Sequence, residues 1–63
     1  MMVDLPKLMT QDEVAEYLGV SPRTLEDWRL RRKGPAFVIM GRHVRYSVAA
    51  IAEFVERSSV KGA

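Results

Sequence analysis

Basic side chains able to bind phosphate groups and guanine edges are concentrated in the middle of this 63-residue chain. Seven of its ten Lys and Arg residues lie between positions 21 and 46, where only two acidic residues accompany them. The first 20 residues instead hold four of the eight acids and a single lysine. Arginine donates paired hydrogen bonds to phosphate oxygens and to guanine. The charge pattern therefore predicts a nucleic acid bound by the middle of the chain.

The composition argues against most other kinds of site. The chain has one histidine and no cysteine, too few of the residues that form a structural zinc site. No nucleophile is spaced with a base, so we predict neither an enzyme nor a bound cofactor or small-molecule ligand. The longest uncharged apolar run, residues 35–41, is far shorter than the ~20 residues that span a bilayer, and the first eight residues lack a signal-peptide core. We expect a small cytoplasmic module with no membrane contact.

Helix caps predict two short helices that would carry the first part of the basic segment. Thr10 to Glu13 reads T-Q-D-E, a capping box that begins a helix, and Gly19 suits the left-handed conformation that ends one. Ser21 and Pro22 are the N-cap and first residue expected for a second helix. Two helices joined by a tight turn form the helix-turn-helix arrangement, whose second helix enters the major groove of DNA.

The following residues predict a β-hairpin and a last helix. Gly34-Pro35 is expected to stop the second helix. Two β-rich runs, residues 37–40 and 43–46, flank Gly41-Arg42, which predicts a two-residue turn of type II′ or I′. Ser47 is the expected N-cap of the last helix.

These elements together predict the fold class. It is mainly α with a small β-hairpin, a winged helix-turn-helix of order α-α-β-β-α. We expect a single domain over residues 1–63, folded over about 8–57, with a tail at 58–63. The side chains expected in the core, from their helical or strand spacing, are Val14, Leu18, Leu25, Trp28, Val44, Tyr46, Ile51 and Val55.

Three sequence pieces resemble a known family. They are Ser21-Pro-Arg-Thr-Leu-Glu-Asp-Trp28, Lys33-Gly-Pro-Ala-Phe37 and Gly41-Arg-His-Val-Arg-Tyr46. Together they look like the MerR-related winged helix-turn-helix domains of phage and plasmid excisionases, over about residues 8–56. The resemblance implies a protein without catalytic activity that binds adjacent sites on double-stranded DNA, bends the DNA and directs an integrase toward prophage excision in a bacterial host cell. Ile39 departs from the family, in which a basic residue is common there.

Candidate DNA contacts fall into three groups. Residues early in the second helix are expected at base edges, since arginine can bond guanine, the threonine methyl can pack on that of thymine, and aspartate can accept from cytosine. The N-cap of the second helix and the basic residues near the end of that helix are expected to contact phosphates. Phosphate contacts set the position of the protein on DNA without reading its sequence. Basic wing residues suit a narrow, electronegative minor groove. The candidates are Arg23, Thr24 and Asp27 for bases; Ser21, Arg29, Arg31, Arg32 and Lys33 for phosphates; and Arg42, His43 and Arg45 for the wing.

Some alternatives stay open at this stage. Asp27 also suits charge balance with Arg23 and Arg31, and His43 also suits a solvated loop. Head-to-tail copies on DNA would join the acidic first helix of one chain to basic residues of the next, with Ile39 or the Met1–Met2 arm adding apolar contact. A small transcriptional regulator of the same fold is the nearest alternative function. A protein-interaction adaptor that does not bind DNA is the alternative from another class.

Overall fold

The computed structural model describes residues 5 and 7–59, which form three helices and one antiparallel sheet. In chain order the elements are β1 (Leu8–Thr10), α1 (Gln11–Leu18), α2 (Pro22–Leu30), β2 (Val38–Met40), β3 (His43–Ser47) and α3 (Val48–Ser58). The predicted fold class, a mainly α winged helix-turn-helix, is confirmed. Within these residues no helix is long and apolar enough to cross a membrane. The Met1–Met2 arm and the tail beyond Ser59 lie outside the described residues.

The sheet has one strand more than the predicted hairpin. Its order is β1-β3-β2, with Leu8 opposite Ser47 and Thr10 opposite Arg45. The sequence predicts no strand at residues 8–10, because three residues are too few to show an alternating pattern. The extra strand makes β3 the centre of the sheet. It therefore supports a hairpin that would be marginally stable alone in water.

Both ends of α1 are built as the sequence predicts. The hydroxyl of Thr10 accepts a hydrogen bond from the N–H of Glu13 at 3.1 Å, and the Glu13 carboxylate accepts one from the N–H of Thr10 at 2.8 Å. Gly19 closes the helix at φ 73°, and the N–H of Val20 donates to the carbonyl of Ala15 at 3.0 Å. These bonds satisfy terminal backbone groups that an uncapped helix would leave unpaired.

The capping box makes the stability of the domain depend on pH. The N–H of Thr10 holds the pKa of Glu13 below its ordinary value of 4.5. A carboxyl whose pKa is lowered by folding stabilises the fold above its unfolded pKa, and this contribution is lost as the pH falls through the folded pKa. We expect Glu13→Gln to unfold at lower urea concentration than the wild type at pH 7, with the gap closing toward pH 3.

Urea titrations at both pH values, followed by circular dichroism, measure this gap. Glu16→Gln is the matched control, because Glu16 is an exposed acid of the same helix outside the capping box. A gap for Glu13→Gln that stayed constant between the two pH values would contradict the proposed origin of the effect.

The core lies where the three helices meet one face of the sheet. Val14, Leu25, Tyr46 and Ile51 are buried as predicted, together with Ala15. Three further predicted core residues pack against this cluster and are half-buried; they are Leu18, Trp28 and Val44. Seven of the eight predicted positions thus belong to the core or its edge.

The placement of Val55 in the core is wrong, because its side chain is 39% exposed. The ring of Phe54 instead packs against that of Trp28, with ring centres 5.4 Å apart. This contact turns the helix face that contains Ile51 and Phe54 inward and leaves Val48 and Val55 at the surface. Both faces of α3 are apolar, so helical periodicity alone does not distinguish them.

The end of α2 also differs from the prediction. The helix ends at Leu30, and Arg32 adopts the left-handed conformation at φ 56°. The N–H of Lys33 then donates to the carbonyl of Trp28 at 2.7 Å, a closure for which glycine is usual. The prediction that Gly34-Pro35 stops the helix is therefore wrong. The left-handed conformation costs a residue with a Cβ roughly 1–2 kcal/mol, which the closure must offset.

Gly34 has a packing role instead. Its φ is 81°, and a Cβ built on it would lie 2.8 Å from Cε3 of Trp28. The absence of a side chain lets the backbone pass directly against the indole ring. Pro35, the next residue, is buried. The loop after α2 is therefore packed onto α2 itself.

Candidate nucleic-acid interface

The start of α2 is organised by its cap. The hydroxyl of Ser21 accepts a hydrogen bond from the N–H of Thr24 at 3.1 Å, and the two hydroxyls lie 2.9 Å apart in a further hydrogen bond. Both hydroxyls therefore have partners within the cap. The DNA contacts expected from Ser21 and Thr24 stay predictions.

One exposed face of α2 carries four residues that no core contact requires. Arg23, Glu26, Asp27 and Leu30 are all exposed and line one shallow depression. Their positions i, i+3, i+4 and i+7 follow one side of a helix, opposite the buried Leu25. Among the described residues, Arg23 makes no ion pair and no side-chain hydrogen bond. Its guanidinium is thus available to a ligand in front of this face.

Asp27 has a partner on the same helix. Its carboxylate lies 3.3 Å from Nε of Arg31, one turn further along, with both side chains at least half exposed. An exposed pair at this spacing contributes only about 0.3–0.5 kcal/mol. The charge balance expected for Asp27 is confirmed with Arg31, whereas Arg23 makes no ion pair in the described part of the chain. A weak pair of this kind can open, so the base contact stays a prediction.

Arg29 has a structural role that the sequence analysis missed. Its Nη1 donates to Oε1 of Gln11 at 2.6 Å and to the hydroxyl of Tyr46 at 2.8 Å. The guanidinium also lies 5.8 Å from the centre of the Phe37 ring. The side chain is half-buried and ties α2 to α1 and to β3. A signal was present in the sequence, since Arg29 lies one turn after the inward-facing Leu25.

The turn after α2 presents three consecutive cations. Arg31, Arg32 and Lys33 are all exposed. The left-handed backbone of Arg32 reverses the chain at this point. A basic turn at the end of a helix in the groove is well placed for phosphates, which contact cations without reading sequence. The phosphate contacts expected from these residues stay predictions.

The wing is the hairpin of β2 and β3, and its tight turn lies at Gly41 and Arg42. Gly41, the first residue of the turn, has φ 64°. Arg42, the second, has a negative φ, because Arg32 is the one non-glycine residue with positive φ in the part of the chain that the structure describes. Positive φ at the first turn position alone indicates type II′ rather than I′. Arg42 and His43 are exposed at the tip, whereas Arg45 is half-buried and its Nη1 donates to the carbonyl of Val44 at 2.8 Å.

The fold brings part of α2 and the wing together. Glu26 and Arg29 of α2 line one polar depression with Arg42, His43 and Arg45. α2 and the wing are separate in the sequence, and the folded structure makes them neighbours. Asp12 also lies at this depression and brings an acid from α1 to its edge.

One comparison with known proteins bears on this surface. A family model described as a helix-turn-helix domain matches residues 8–59, which is most of the chain. The matched part includes every helix and strand described above. No curated protein matches the sequence.

Proposed function

Since this chain belongs to the helix-turn-helix domain family and is therefore a small sequence-specific DNA-binding protein, we propose that it is an excisionase. It binds adjacent sites on double-stranded DNA in the bacterial cytoplasm, bends the DNA and directs an integrase toward excision. The observation on which this rests is the common depression bordered by α2 and the wing. A recognition helix and a basic wing side by side fit neighbouring grooves of one duplex.

In this proposal each element has its own contact with DNA. The exposed face of α2 enters the major groove, where Arg23, Thr24 and Asp27 contact base edges. Phosphates are held by Ser21 and by the basic turn after α2, and the wing enters the minor groove. Arg29 is left out of the phosphate group, because its Nη1 already bonds Gln11 and Tyr46. The basic turn contacts phosphates through Arg31, Arg32 and Lys33. The wing contacts the minor groove through Arg42, His43 and Arg45.

Several copies are needed for a specific complex. One short helix and one wing cover about a half-site, which is little for discrimination within a genome. Asp12 and Glu16 are exposed on α1 and form no ion pair within the described residues. The basic turn of a neighbouring copy offers them partners. Ile39, at 64% exposed, can add apolar contact. Unlike surfaces that meet head to tail form an open array.

In this proposal the protein directs recombination by forming an array that bends the DNA. Copies fixed along one face of DNA add their local bends, most easily at flexible pyrimidine–purine steps. The integrase performs the strand exchange on the shaped DNA. The three sequence pieces that resemble excisionases support this role over simple promoter binding.

The array is tested by gel-shift titration on duplexes that carry one, two or three adjacent copies of a site selected from random DNA. We expect affinity per site to rise about tenfold from one site to three, or about 1.4 kcal/mol, with increasing DNA bend. The variant Glu16→Gln changes an acid that does not line the depression shared by α2 and the wing. It should lose most of this gain and keep its single-site affinity. Equal affinity per site, with no change in bend, would exclude the array.

The directing role needs a recombination assay. Purified protein is added to the integrase encoded nearest to its own gene, with the matching attachment sites on supercoiled DNA. We expect excision to increase with the wild-type protein and not with the array-deficient variant. A protein that forms arrays but leaves excision unchanged would be a transcriptional regulator instead.

A further inference from the structure

Leu30 is an apolar side chain on the charged face of α2. It is 85% exposed, more than any other large apolar residue in the described part of the chain. Its neighbours on the helix surface are charged, with Asp27 one turn before it and Arg31 next to it. Burial in this protein does not account for leucine at this position. A contact with another molecule would account for it.

The position of Leu30 places it in line with the proposed base-contacting residues. Arg23, Glu26, Asp27 and Leu30 have the spacing i, i+3, i+4 and i+7, and they line one depression. Helices that lie in the major groove present side chains at this spacing to successive base pairs. If Arg23 reaches a base edge, Leu30 lies two turns further along the same groove-facing side.

The chemistry of the major groove leaves one partner for such a side chain. Base edges there present hydrogen-bond donors and acceptors, and the one apolar group is the C5 methyl of thymine. Phosphates offer Leu30 no favourable contact. A protein partner would be expected to meet a contiguous apolar patch, whereas Leu30 stands among Asp27, Glu26 and Arg31.

We propose that Leu30 is a specificity-determining residue that recognises a thymine by packing against its C5 methyl group. The inference rests on the proposed docking of α2 in the major groove. It adds a second T-specific position to the reading surface, beside the thymine methyl that Thr24 is proposed to contact. Cytosine lacks the methyl group and would leave Leu30 against a polar edge.

The test removes the methyl group from the DNA, so it does not depend on any variant folding. A duplex selected from random DNA is resynthesised with each thymine replaced in turn by deoxyuridine. Binding of wild type and Leu30→Ala is then measured by fluorescence anisotropy. For the wild type we expect replacement of the thymine against Leu30 to weaken binding about fourfold. This corresponds to ~0.8 kcal/mol for one buried methyl group, since a tenfold change in affinity is ~1.4 kcal/mol. A second sensitive position, at a thymine contacted by Thr24, should respond equally in the wild type and in Leu30→Ala.

The Leu30→Ala variant should bind the thymine and deoxyuridine duplexes equally at the position against Leu30. Leu5→Ala is the matched control, since Leu5 is 80% exposed and lies outside α2. This control should keep the wild-type fourfold difference. A wild type indifferent to every replacement would overturn the inference, as would a Leu30→Ala variant that kept the difference.

Arg23→Ala separates this outcome from a failure of the proposed docking. If Arg23→Ala loses its preference for the selected duplex while deoxyuridine has no effect, the docking stands and the role of Leu30 is wrong. If neither change affects specific binding, α2 does not read the major groove and both proposals are wrong. If Leu30→Ala lowers only the gain from adjacent sites, Leu30 contacts a second copy, which also overturns the inference.

Discussion

Trp28→Ala is expected to abolish the cooperative unfolding transition of this protein. The indole packs against the ring of Phe54 at 5.4 Å and against the backbone of Gly34. It therefore joins α2 to α3 and to the loop that precedes the wing. Truncating a large aromatic side chain in such a position costs about 3–5 kcal/mol. The single core of a domain this small rarely supplies more than about 3–5 kcal/mol in total.

Thermal unfolding followed by circular dichroism measures this loss. Tyr17→Ala is the matched control, because the Tyr17 side chain is 66% exposed. The control should keep a transition close to that of the wild type. A Trp28→Ala variant that unfolded with a normal transition would contradict the packing described for α2 and α3.

Gly34→Ala tests the same contact from the other side. The new Cβ would lie 2.8 Å from the indole at a backbone φ of 81°. Backbone strain costs roughly 1–2 kcal/mol and overpacking roughly 1–3 kcal/mol, so we expect a loss approaching that of Trp28→Ala. Gly19→Ala shares the positive φ but would meet no atom within 4 Å. It should therefore lose less stability, and equal losses would show that the indole contact contributes little.

Arg23→Ala is expected to remove sequence preference with little effect on general DNA affinity. Arg23 is exposed on the groove-facing side of α2 and has no side-chain partner in the described residues. An arginine bonded to guanine contributes about 1–3 kcal/mol of discrimination. The selected duplex should thus bind about 5- to 150-fold more weakly, while a random duplex binds as before.

Arg32→Gly is the contrasting variant for a phosphate contact. It should weaken binding to the selected and random duplexes alike and lower the salt slope of log K by about 0.9. Glycine accepts φ 56° without strain, so the fold should be as stable as the wild type or more stable. Titrations of both duplexes at several salt concentrations distinguish a loss of sequence preference from a loss of general, salt-dependent affinity. If both variants behaved alike, the division between base reading and phosphate positioning would be wrong.

The local features of the fold could be predicted from the sequence because each depends on residues a few positions apart. The Thr10–Glu13 capping box is one such feature, and Ser47 at the start of α3 is another, since its hydroxyl accepts from the N–H of Ala50 at 3.0 Å. Gly41 indicated the turn of the wing for the same reason. Burial of Leu25 on α2 followed from helical spacing, which also exposes Arg23 on the opposite side.

The site was harder to predict where a side chain is bonded across the fold. Arg29 belongs by sequence to the basic segment, yet its partners Gln11 and Tyr46 come from other elements. Helical spacing places Leu30 on the side of α2 opposite Leu25, together with Arg23. The tertiary structure adds that no other element in the described part of the chain covers it, since it is 85% exposed.

Charge distribution, helix caps and turn residues by themselves determined a helix-turn-helix with a basic wing, because these signals act within one or two turns of chain. Two properties were decided only by tertiary contacts: the pairing of β1 with β3 and the rotation of α3. Three residues of β1 carry no readable period, and α3 is apolar on two sides. The choice between its faces depends on the contact of Phe54 with Trp28, whose free energy appears only when both helices are in place.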